Sequence, residues 1–342
     1  MNGACAATEQ LLLRYRQRTV AEIERRLPRG EPHQWLYEPM ADYPRRAGKG
    51  LRATLCLATC SAYGGSEDDA LPAAAAIELA HSALLVHDDI QDGSAWRRGN
   101  PTLHHREGVP LALNAGDALA VLSFEVLRTA TNRLGRRLGS RIMDEFSAAI
   151  WRTLEGQARE LGWRRDGVTD VSPQDYLELI LSKTCWYTTI LPLRIGALIG
   201  SWGDADLHAL SRFGLFLGAA FQITDDVLNL TGDQTRYGKE ILGDLREGKR
   251  TLMVVHLLAV AEPALRAELV ALMVGPDRTD EQLDWLAGLL VKHGSVAFAQ
   301  DFARGIADQA AAAFPAAFRS ATRPAEADVI RHLVDYVVQR TR

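Results

Sequence analysis

Residues 81–92 combine an apolar helical stripe with an acidic end. The stretch ends in Asp-Asp-Ile-Gln-Asp. At about 3.6 residues per turn, Asp88 and Asp92 lie one turn apart on the same face of the predicted helix, with Asp89 beside them. Like charges at this spacing destabilise a helix, so the pattern indicates a bound cation. Mg²⁺ fits because it takes oxygen ligands and is usually held by one or two carboxylates plus substrate phosphates.

Residues 213–229 repeat this arrangement. An apolar run predicts a second buried helix, and Gln222, Asp225, Asp226 and Asn229 recur on it at i, i+3, i+4 and i+7. One acidic helix end is a weak signal and more often marks a solvated surface. Two of them facing each other would enclose a cavity with an apolar floor and a mouth for divalent ions. Such a cavity suits a diphosphate with a hydrocarbon tail.

The rest of the chain also has helical periodicity. Helices are predicted over residues 11–27, 51–63 and 134–161 and from Ser172 onward, and loops over 64–69, 163–172 and 232–250. No convincing period-two strand, nucleotide-binding glycine motif or internal repeat is present. The pattern therefore predicts an all-α fold in a single domain over residues 1–342.

Composition narrows the function classes. The 342 residues are 47% hydrophobic, enough for a large core, and the net charge of −4 gives no electrostatic footprint for nucleic acid. Four cysteines (Cys5, Cys56, Cys60 and Cys185) have neither zinc-site nor disulfide-scaffold spacing. The first twenty residues do not read as a signal peptide. Residues 71–86 fall short of the roughly 20 apolar residues that span a bilayer. We expect a cytoplasmic protein without an integral membrane segment.

Three motifs together resemble a known family. DDxxD-x4-RRG over residues 88–99, FQITDD over 221–226 and GK…EGKRTL over 238–252 are similar to the trans-isoprenyl diphosphate synthases of the polyprenyl synthetase family. The likeness runs over most of the chain and the constellation is highly specific. It implies a helical bundle around a central cavity. It also implies head-to-tail transfer of an allylic diphosphate onto isopentenyl diphosphate, with three Mg²⁺ ions and a homodimer.

The resemblance also implies roles for individual residues. The metal ligands would be Asp88, Asp89, Asp92, Asp225, Asp226 and Asn229. Isopentenyl diphosphate would be bound by Lys49, Arg52, His81 and Arg98, and the allylic diphosphate by Arg97, Lys183, Lys239 and Lys249. Thr184 and Gln222 would place oxygen dipoles near the developing allylic cation. The loop carrying Lys239 and Lys249 is expected to fold over the bound diphosphate and exclude water.

The sequence departs from the family pattern at several positions. Gly50 and Ala53 differ from the commoner version of the GKxxR stretch, and Asn229 replaces the usual final aspartate of the second motif. Trp186 and Tyr187 are bulkier than expected after the Lys-Thr pair. They either trim the pocket or belong to the core.

Product length depends on cavity depth. In this family the residues one turn before the first aspartate form the floor, and an aromatic residue there stops growth at fifteen carbons. Ala83 and Leu84 are not aromatic, so the resemblance implies geranylgeranyl diphosphate, with a farnesyl or longer product as the alternative. Phe124 or Trp186 would be the floor if Ala83→Phe left the product unchanged.

Two other functions are open from the sequence. A class I terpene cyclase shares the helical fold, and Asp226, Asn229 and Asp233 echo the spacing of its second metal motif. Such a cyclase would not need the basic residues assigned to a second diphosphate. A non-catalytic subunit of a heteromeric synthase is the other alternative, but such partners typically lose acidic motifs, and this chain retains both.

Overall fold

The computed structural model describes residues 3–46, 48–232, 241–275 and 278–339. Its helices are α1 (Gly3–Arg26), α2 (Glu38–Arg45), α3 (Leu51–Ala62), α4 (Glu67–Asp92), α5 (Leu103–Glu107), α6 (Val109–Thr131), α7 (Arg136–Arg165), α8 (Pro173–Ile180), α9 (Leu191–Gly200), α10 (Leu207–Thr231), α11 (Gly243–Arg246), α12 (Leu252–Val260), α13 (Pro263–Val274), α14 (Asp280–Lys292), α15 (Ser295–Ala317) and α16 (Pro324–Gln339). Two π-helical segments (His33–Tyr37 and Leu181–Ile190) and a 3₁₀ turn (Asn132–Leu134) complete the helical structure. The all-α prediction is confirmed, and the single-domain boundary stays a prediction.

A minimal hairpin follows α4. Strands β1 (Trp96–Arg97) and β2 (Asn100–Pro101) are antiparallel, with Trp96 opposite Pro101 and Arg97 opposite Asn100. The turn between them requires positive φ at Arg98 (55°) and Gly99 (73°). This hairpin sets the directions of the arginine pair that follows the first aspartate motif.

Helix α4 is the buried centre of the bundle. Ser66 caps its start by accepting a hydrogen bond from the backbone N–H of Asp68, so the helix begins within the predicted 64–69 turn. Gly93, at φ 66°, ends it one residue after the first motif. Between these caps the alanine-rich sequence lets α3 and α6 pack closely on either side. The helix therefore presents its acidic end at a fixed depth.

Two apolar clusters form the core. The first joins α1, α3, α4, α6, α7, α9 and α16, and the second joins α8, α12, α13 and α14. Helix α10 contributes Leu217 and Ala220 to the first cluster and Ile223 and Val227 to the second. The second aspartate motif, which lies on the same helix turns, is thereby held between both clusters.

Helix α7 is longer than predicted. The sequence indicated a loop from residue 163, but the helix continues to Arg165. Arg164 lies in this added turn and its Nη2 contacts Asp92 Oδ1 at 2.8 Å. The ion pair to the end of α4 explains why helix rather than loop is stable here.

The segment Leu181–Ile190 is wound as a π-helix and packs tightly on α7. A Cβ added at Gly156 of α7 would lie 2.3 Å from the backbone nitrogen of Lys183. The missing side chain lets the two backbones approach, and π-helical turns are frequent at functional sites. The Lys183-Thr184 pair is held at this junction.

Two helices have the length and composition of a membrane span, namely Glu67–Asp92 and Val109–Leu134. The apolar window of the first is 72% buried inside the fold, whereas that of the second is 39% buried. The first helix is thus longer than the 71–86 stretch judged from sequence, and its burial explains its apolar composition. The second leaves an apolar face uncovered.

Candidate active site

A cavity of about 1060 Å³ lies between α1, α3, α4, α7, α10 and the π-helical segment. Leu84 and Leu85 of α4 contribute to an apolar wall, and Asp88 and Asp225 bring carboxylates from facing helices. Lys183 adds an ammonium group to the same surface. The cavity therefore joins a polar region to an apolar one, as predicted for the space between the two motifs.

Asp88 borders the cavity within reach of three cationic or polar groups. Its Oδ1 lies 3.3 Å from Gln157 Nε2 and 3.5 Å from Lys183 Nζ, and its Oδ2 lies 3.5 Å from Arg97 Nη2. These long contacts hold the carboxylate on the cavity side without enclosing it. Its position on the cavity surface is compatible with a metal ligand, and that role stays a prediction.

Asp89 and Arg97 form a buried ion pair beside Asp88. Asp89 is fully buried and accepts hydrogen bonds from Tyr43 Oη and from Arg97, whose Nε lies 2.8 Å from Oδ1. Burial would lower the pKa of Arg97, but Asp89 outweighs it and raises that pKa above its ordinary value. Because a helix turns by about 100° per residue, Asp89 cannot share the face of its neighbour. Asp89 thus forms a buried ion pair with Arg97, which also lines the cavity 3.5 Å from Asp88; the predicted metal role of Asp89 and diphosphate role of Arg97 stay predictions.

Asp92 closes the first motif as a buried anion. Arg164 lies 2.8 Å from its Oδ1 and Lys249 3.3 Å from its Oδ2. Burial would raise the pKa of Asp92, yet Lys249, Lys183 and Arg164 overcome both burial and Asp88 and hold it below its ordinary value. The carboxylate is therefore ionised and available to a cation that displaces one of its partners.

The two adjacent acids of the second motif, Asp225 and Asp226, also have different contacts. Asp225 borders the cavity, with Lys49 Nζ 3.8 Å from its Oδ1. Asp226 instead accepts hydrogen bonds on both oxygens, from Tyr176 Oη at 2.7 Å and from Gln222 Nε2 at 2.7 Å. Burial, followed by Asp244, raises the pKa of Asp226 to about 8. Both acids line the cavity, but only Asp226 is held by these two hydrogen bonds, and the metal-binding role of each stays a prediction.

Asn229 holds the following segment rather than facing the cavity. It is buried, and its Oδ1 accepts a hydrogen bond from the backbone N–H of Asp244 at 3.0 Å. Its backbone oxygen accepts from Leu242 N–H at 3.0 Å. These hydrogen bonds join the end of α10 to the segment at 242–244, and the predicted metal-binding role of Asn229 stays a prediction.

Lys249 is ordered and enclosed by acids. Its Nζ lies 3.3 Å from Asp92 Oδ2 and 3.1 Å from Asp244 Oδ1, and it also pairs with Glu247. Residues 241–250 include helix α11 and do not form the open loop expected from sequence. The carboxylates hold the ammonium group in the cavity wall, so it needs no loop closure to reach the site. Lys239, the other predicted cation of this region, lies outside the described residues.

Lys183 is the second enclosed ammonium group. It pairs with Glu160 of α7 and lies 3.5 Å from Asp88. Burial would lower the pKa of Lys183, but Glu160 and then Asp88 raise it above its ordinary value. The side chain therefore carries a full positive charge beside the first motif.

The predicted isopentenyl diphosphate residues converge on the opposite part of the cavity. Arg52 donates from Nη2 to Thr188 Oγ1 at 2.8 Å, and Arg98 Nη2 lies 3.5 Å from His81 Nε2. A Cβ at Gly48 would lie 2.8 Å from the Arg98 guanidinium carbon, so a larger residue there would displace this guanidinium group. Lys49, Arg52, His81 and Arg98 all line the cavity. The structure brings this predicted group together.

The two bulky residues after the Lys-Thr pair have different roles. Tyr187 lines the cavity and stacks under the Arg52 guanidinium at 4.5 Å, whereas Trp186 packs with both core clusters and lies under Arg152 at 4.4 Å. Thr184 and Gln222 border the cavity, as predicted. The first aromatic residue of the pair therefore belongs to the core and the second trims the pocket.

Only one of the two residues predicted to form the cavity floor lines the cavity. Leu84 lines the cavity, while Ala83 is buried in the first core cluster. Phe124, considered as an alternative floor, packs edge-on against Phe146 with ring centroids 5.0 Å apart. Leu84 is thus the side chain of the predicted pair that lines the cavity.

Sequence reasoning missed several groups around the lysines. Gln157, Glu160 and Arg164 contact Asp88, Lys183 and Asp92 from α7. Their i, i+3, i+7 spacing was a polar stripe on a predicted helix and could have been found. Asp244 and Tyr176 gave no sequence signal because their contacts depend on tertiary packing.

The carboxylates fit Mg²⁺ that is also bound by a substrate. Asp88 and Asp225 line the cavity, and Asp92 lies 3.3 Å from Lys249, which lines the same cavity. Within the described parts of the chain, no group of three His, Cys, Asp or Glu side chains could by itself hold a metal ion. Open coordination is what Mg²⁺ requires when phosphate oxygens and waters supply the other ligands.

The fold and this arrangement of acids define a helical isoprenoid synthase. Comparison with known proteins gives the same class. The polyprenyl synthetase family model matches residues 33–288. The chain is 32% identical over 298 residues to the geranylgeranyl diphosphate synthase of Saccharolobus solfataricus, covering 86% of this chain and 87% of that protein.

Solved structures agree over the whole length. Geranylgeranyl pyrophosphate synthetase from Pyrococcus horikoshii has a TM-score of 0.84 and 31% identity, covering 97% of this chain and 99% of that one. A polyprenyl synthase from Caulobacter crescentus, complexed with calcium and isoprenyl diphosphate, has a TM-score of 0.85 and 27% identity, covering 97% and 98% of the two chains. The chain belongs to the polyprenyl synthetase family.

Proposed function

We propose that this protein condenses isopentenyl diphosphate with an allylic diphosphate to make a trans-polyprenyl diphosphate, principally geranylgeranyl diphosphate. The observation that carries the proposal is one cavity in which carboxylates from α4 and α10 face the ammonium group of Lys183 beside an apolar wall. The metal ions and the lysine side chains would neutralise the diphosphate leaving group. The apolar wall would accommodate the hydrocarbon tail of the allylic substrate. The described residues include four further basic or imidazole groups for a second diphosphate, namely Lys49, Arg52, His81 and Arg98.

Ionisation is the first step. The carbon–oxygen bond of the allylic diphosphate breaks and its electron pair leaves with the diphosphate. Mg²⁺, bound by Asp88, Asp92 and Asp225, would supply Lewis-acid neutralisation of the leaving group. Lys183 and Lys249 add fixed positive charge, and because they are already buried and ion-paired they lose little solvation in the reaction.

The resulting cation is stabilised by oxygen dipoles. Gln222 donates its amide N–H to Asp226, which leaves its carbonyl oxygen as the end available to the cation. Tyr176 fixes Asp226 from the other side. Thr184 borders the same part of the cavity. This chain of hydrogen bonds supports a preorganised site in which the dipoles need no reorganisation.

Condensation and elimination complete the reaction. The double bond of isopentenyl diphosphate, held by Arg52 and Arg98, attacks the cation and forms the new carbon–carbon bond. A proton then leaves to the released pyrophosphate. This mechanism requires no nucleophile from the protein.

Geranylgeranyl diphosphate is the product that the wall favours. Leu84 is the predicted floor residue that lines the cavity. A leucine there leaves more depth for the hydrocarbon tail than an aromatic side chain would. A longer product remains the alternative if the tail displaces this side chain. A terpene cyclase has no use for the second group of cations, and a non-catalytic subunit has no use for two intact acidic motifs.

The test is incubation of the purified protein with isopentenyl diphosphate, Mg²⁺ and, separately, dimethylallyl, geranyl and farnesyl diphosphates, with the dephosphorylated products sized by mass spectrometry. The proposal predicts a twenty-carbon alcohol from each primer. A longer alcohol would keep the reaction and change the product. Hydrocarbon formed without isopentenyl diphosphate would identify a cyclase, and no product from any mixture would contradict the proposal.

A further inference from the structure

Helix α1 forms one side of the cavity next to the group proposed to bind isopentenyl diphosphate. Arg16 lines the cavity from this helix together with Leu12 and Val20. The residue lies before the 33–288 segment that the family model matches, so no family motif assigns it a role. Among the described residues, the Arg16 side chain has no hydrogen bond or ion pair, although it is half-buried.

Gly50 brings Arg16 close to the GKxxR stretch. A Cβ added at Gly50 would lie 2.8 Å from the Cβ of Arg16 and 3.2 Å from the backbone oxygen of Leu12. Gly50 also has φ 67°, a conformation that favours glycine. The departure of this position from the commoner family pattern is therefore explained by close packing of α1. That packing places the stem of Arg16 beside the turn that carries Lys49 and Arg52.

Positive charge accumulates at this place with little compensation. The pKa of Arg98 is lowered to about 10, chiefly by burial; Glu78 opposes this effect, and the neighbouring charges of Arg97, Arg52 and Arg16 add to it. Like charges that converge in one cavity repel each other unless an anion binds between them. An arginine without a protein partner is the member of such a group most available to that anion.

We infer that Arg16 is a further binding residue for the diphosphate of isopentenyl diphosphate, supplied by α1 and made possible by Gly50. This inference rests on the proposed function. The guanidinium binds phosphate oxygens on the α1 side while Lys49, Arg52 and Arg98 bind the other sides. Helix α1 is then part of the substrate site and not only a packing element.

The neighbouring Arg14 offers a matched control. It is two residues away on the same helix, is more exposed, and contacts Glu67 at 3.2 Å instead of the cavity. Arg16→Ala is expected to raise the KM for isopentenyl diphosphate about tenfold, the usual effect of losing one charge-assisted hydrogen bond. The KM for the allylic primer and kcat at saturation stay unchanged. Arg16→Lys gives an intermediate value, and Arg14→Ala changes none of these constants.

Direct binding separates this inference from the proposed function. Calorimetric titration with isopentenyl diphosphate alone, without an allylic primer, is compared for wild type, Arg16→Ala and Arg14→Ala. Weaker binding by Arg16→Ala only, with unchanged circular dichroism, supports the inference even if the wild type fails to turn over. If Arg16→Ala does not fold, Arg16→Gln replaces it. Equal affinity in the two variants, or equal rises in both substrate KM values, would overturn the inference, and absence of wild-type binding would overturn both proposals.

Discussion

Adjacent acids in both motifs have different environments. Asp88, Asp225 and Asp226 line the cavity, whereas Asp89 does not; Asp89 and Asp226 are both buried against hydrogen-bond donors. The sequence indicated the acids as groups but could not distinguish the members, because the distinction depends on which helix face meets a partner. Arg97 and Tyr43 supply the partners of the first buried acid. Each motif thus contains one carboxylate that is held by buried hydrogen-bond donors and one that is not held in this way.

Leu84→Phe is expected to shorten the product to fifteen carbons, because an aromatic side chain on the wall reduces the depth available to the tail. Product length is measured by mass spectrometry after dephosphorylation. Ala83→Ser, one residue away in the core, is the control and leaves the product unchanged. An unchanged product from Leu84→Phe would show that another residue forms the floor.

At the scale of secondary-structure elements, the contact between α7 and the π-helical segment positions Lys183. The two backbones meet at Gly156, where no side chain fits. Helical periodicity predicted both elements, but a π-helix and an α-helix have similar patterns and the local widening was not visible. The polar stripe of α7 was visible and could have predicted the partners of the first motif.

Gly156→Ala is expected to destabilise the fold by about 1–3 kcal/mol and to lower activity, because the added methyl group displaces the backbone of Lys183. Gly162→Ala on the same helix is the control. A Cβ there meets no atom within 4 Å, so the substitution should stabilise the protein by about 0.5–1 kcal/mol. Urea unfolding measures both changes. Equal effects would show that the close approach at Gly156 is unimportant.

The packing of α12 on α15 makes stability depend on pH. His256 stacks on Phe298 with ring centroids 4.2 Å apart, and its Nδ1 lies 3.0 Å from Ser295 Oγ. Burial lowers the pKa of His256 below its ordinary value of 6.5. The unfolded chain therefore binds the proton more readily, and the contribution of His256 to stability is present above about pH 6.5 and lost as the pH falls.

His256→Gln should reduce this dependence. Thermal melts of wild type and variant between pH 8 and pH 5 measure how the melting temperature changes with pH. This range spans the ordinary histidine pKa of about 6.5. The wild type is expected to lose more stability than the variant on acidification. Identical slopes would show that His256 titrates normally in the folded state.

At the scale of the molecule, α6 and α7 leave an apolar surface uncovered. Val121 is 61% exposed and Trp151 65% exposed, and Leu113 and Leu154 are also exposed on these helices. Exposed apolar patches of this kind mark interfaces. We propose that the surface joins two copies of the chain, as the family resemblance implies.

Trp151→Asp is expected to convert a dimer into a monomer, because a buried charge without a partner opposes association. Sedimentation velocity of wild type and variant measures the change. Trp285→Asp on α14, an exposed tryptophan in the other part of the fold, is the control and leaves association unchanged. A wild type that sediments as a monomer at all concentrations would contradict the proposal.

The overall architecture was largely predictable, because helical periodicity and two acidic motifs are properties of short segments. The site needed tertiary information where partners are distant in sequence, as for Tyr176 with Asp226 and Glu160 with Lys183. Arg16 gave no signal in the sequence for the same reason. The sequence motifs indicated the class of reaction, whereas the contacts of the individual side chains depend on tertiary packing.

The central claim is that Asp88 and Asp225 act together in ionising the allylic diphosphate. Single-turnover rates with isopentenyl diphosphate, an allylic primer and saturating Mg²⁺, measured for Asp88→Ala and Asp225→Ala, test it most directly. We expect each variant to keep its circular dichroism and thermal stability and to lose several orders of magnitude in rate. Near-normal rates in either folded variant would contradict the account.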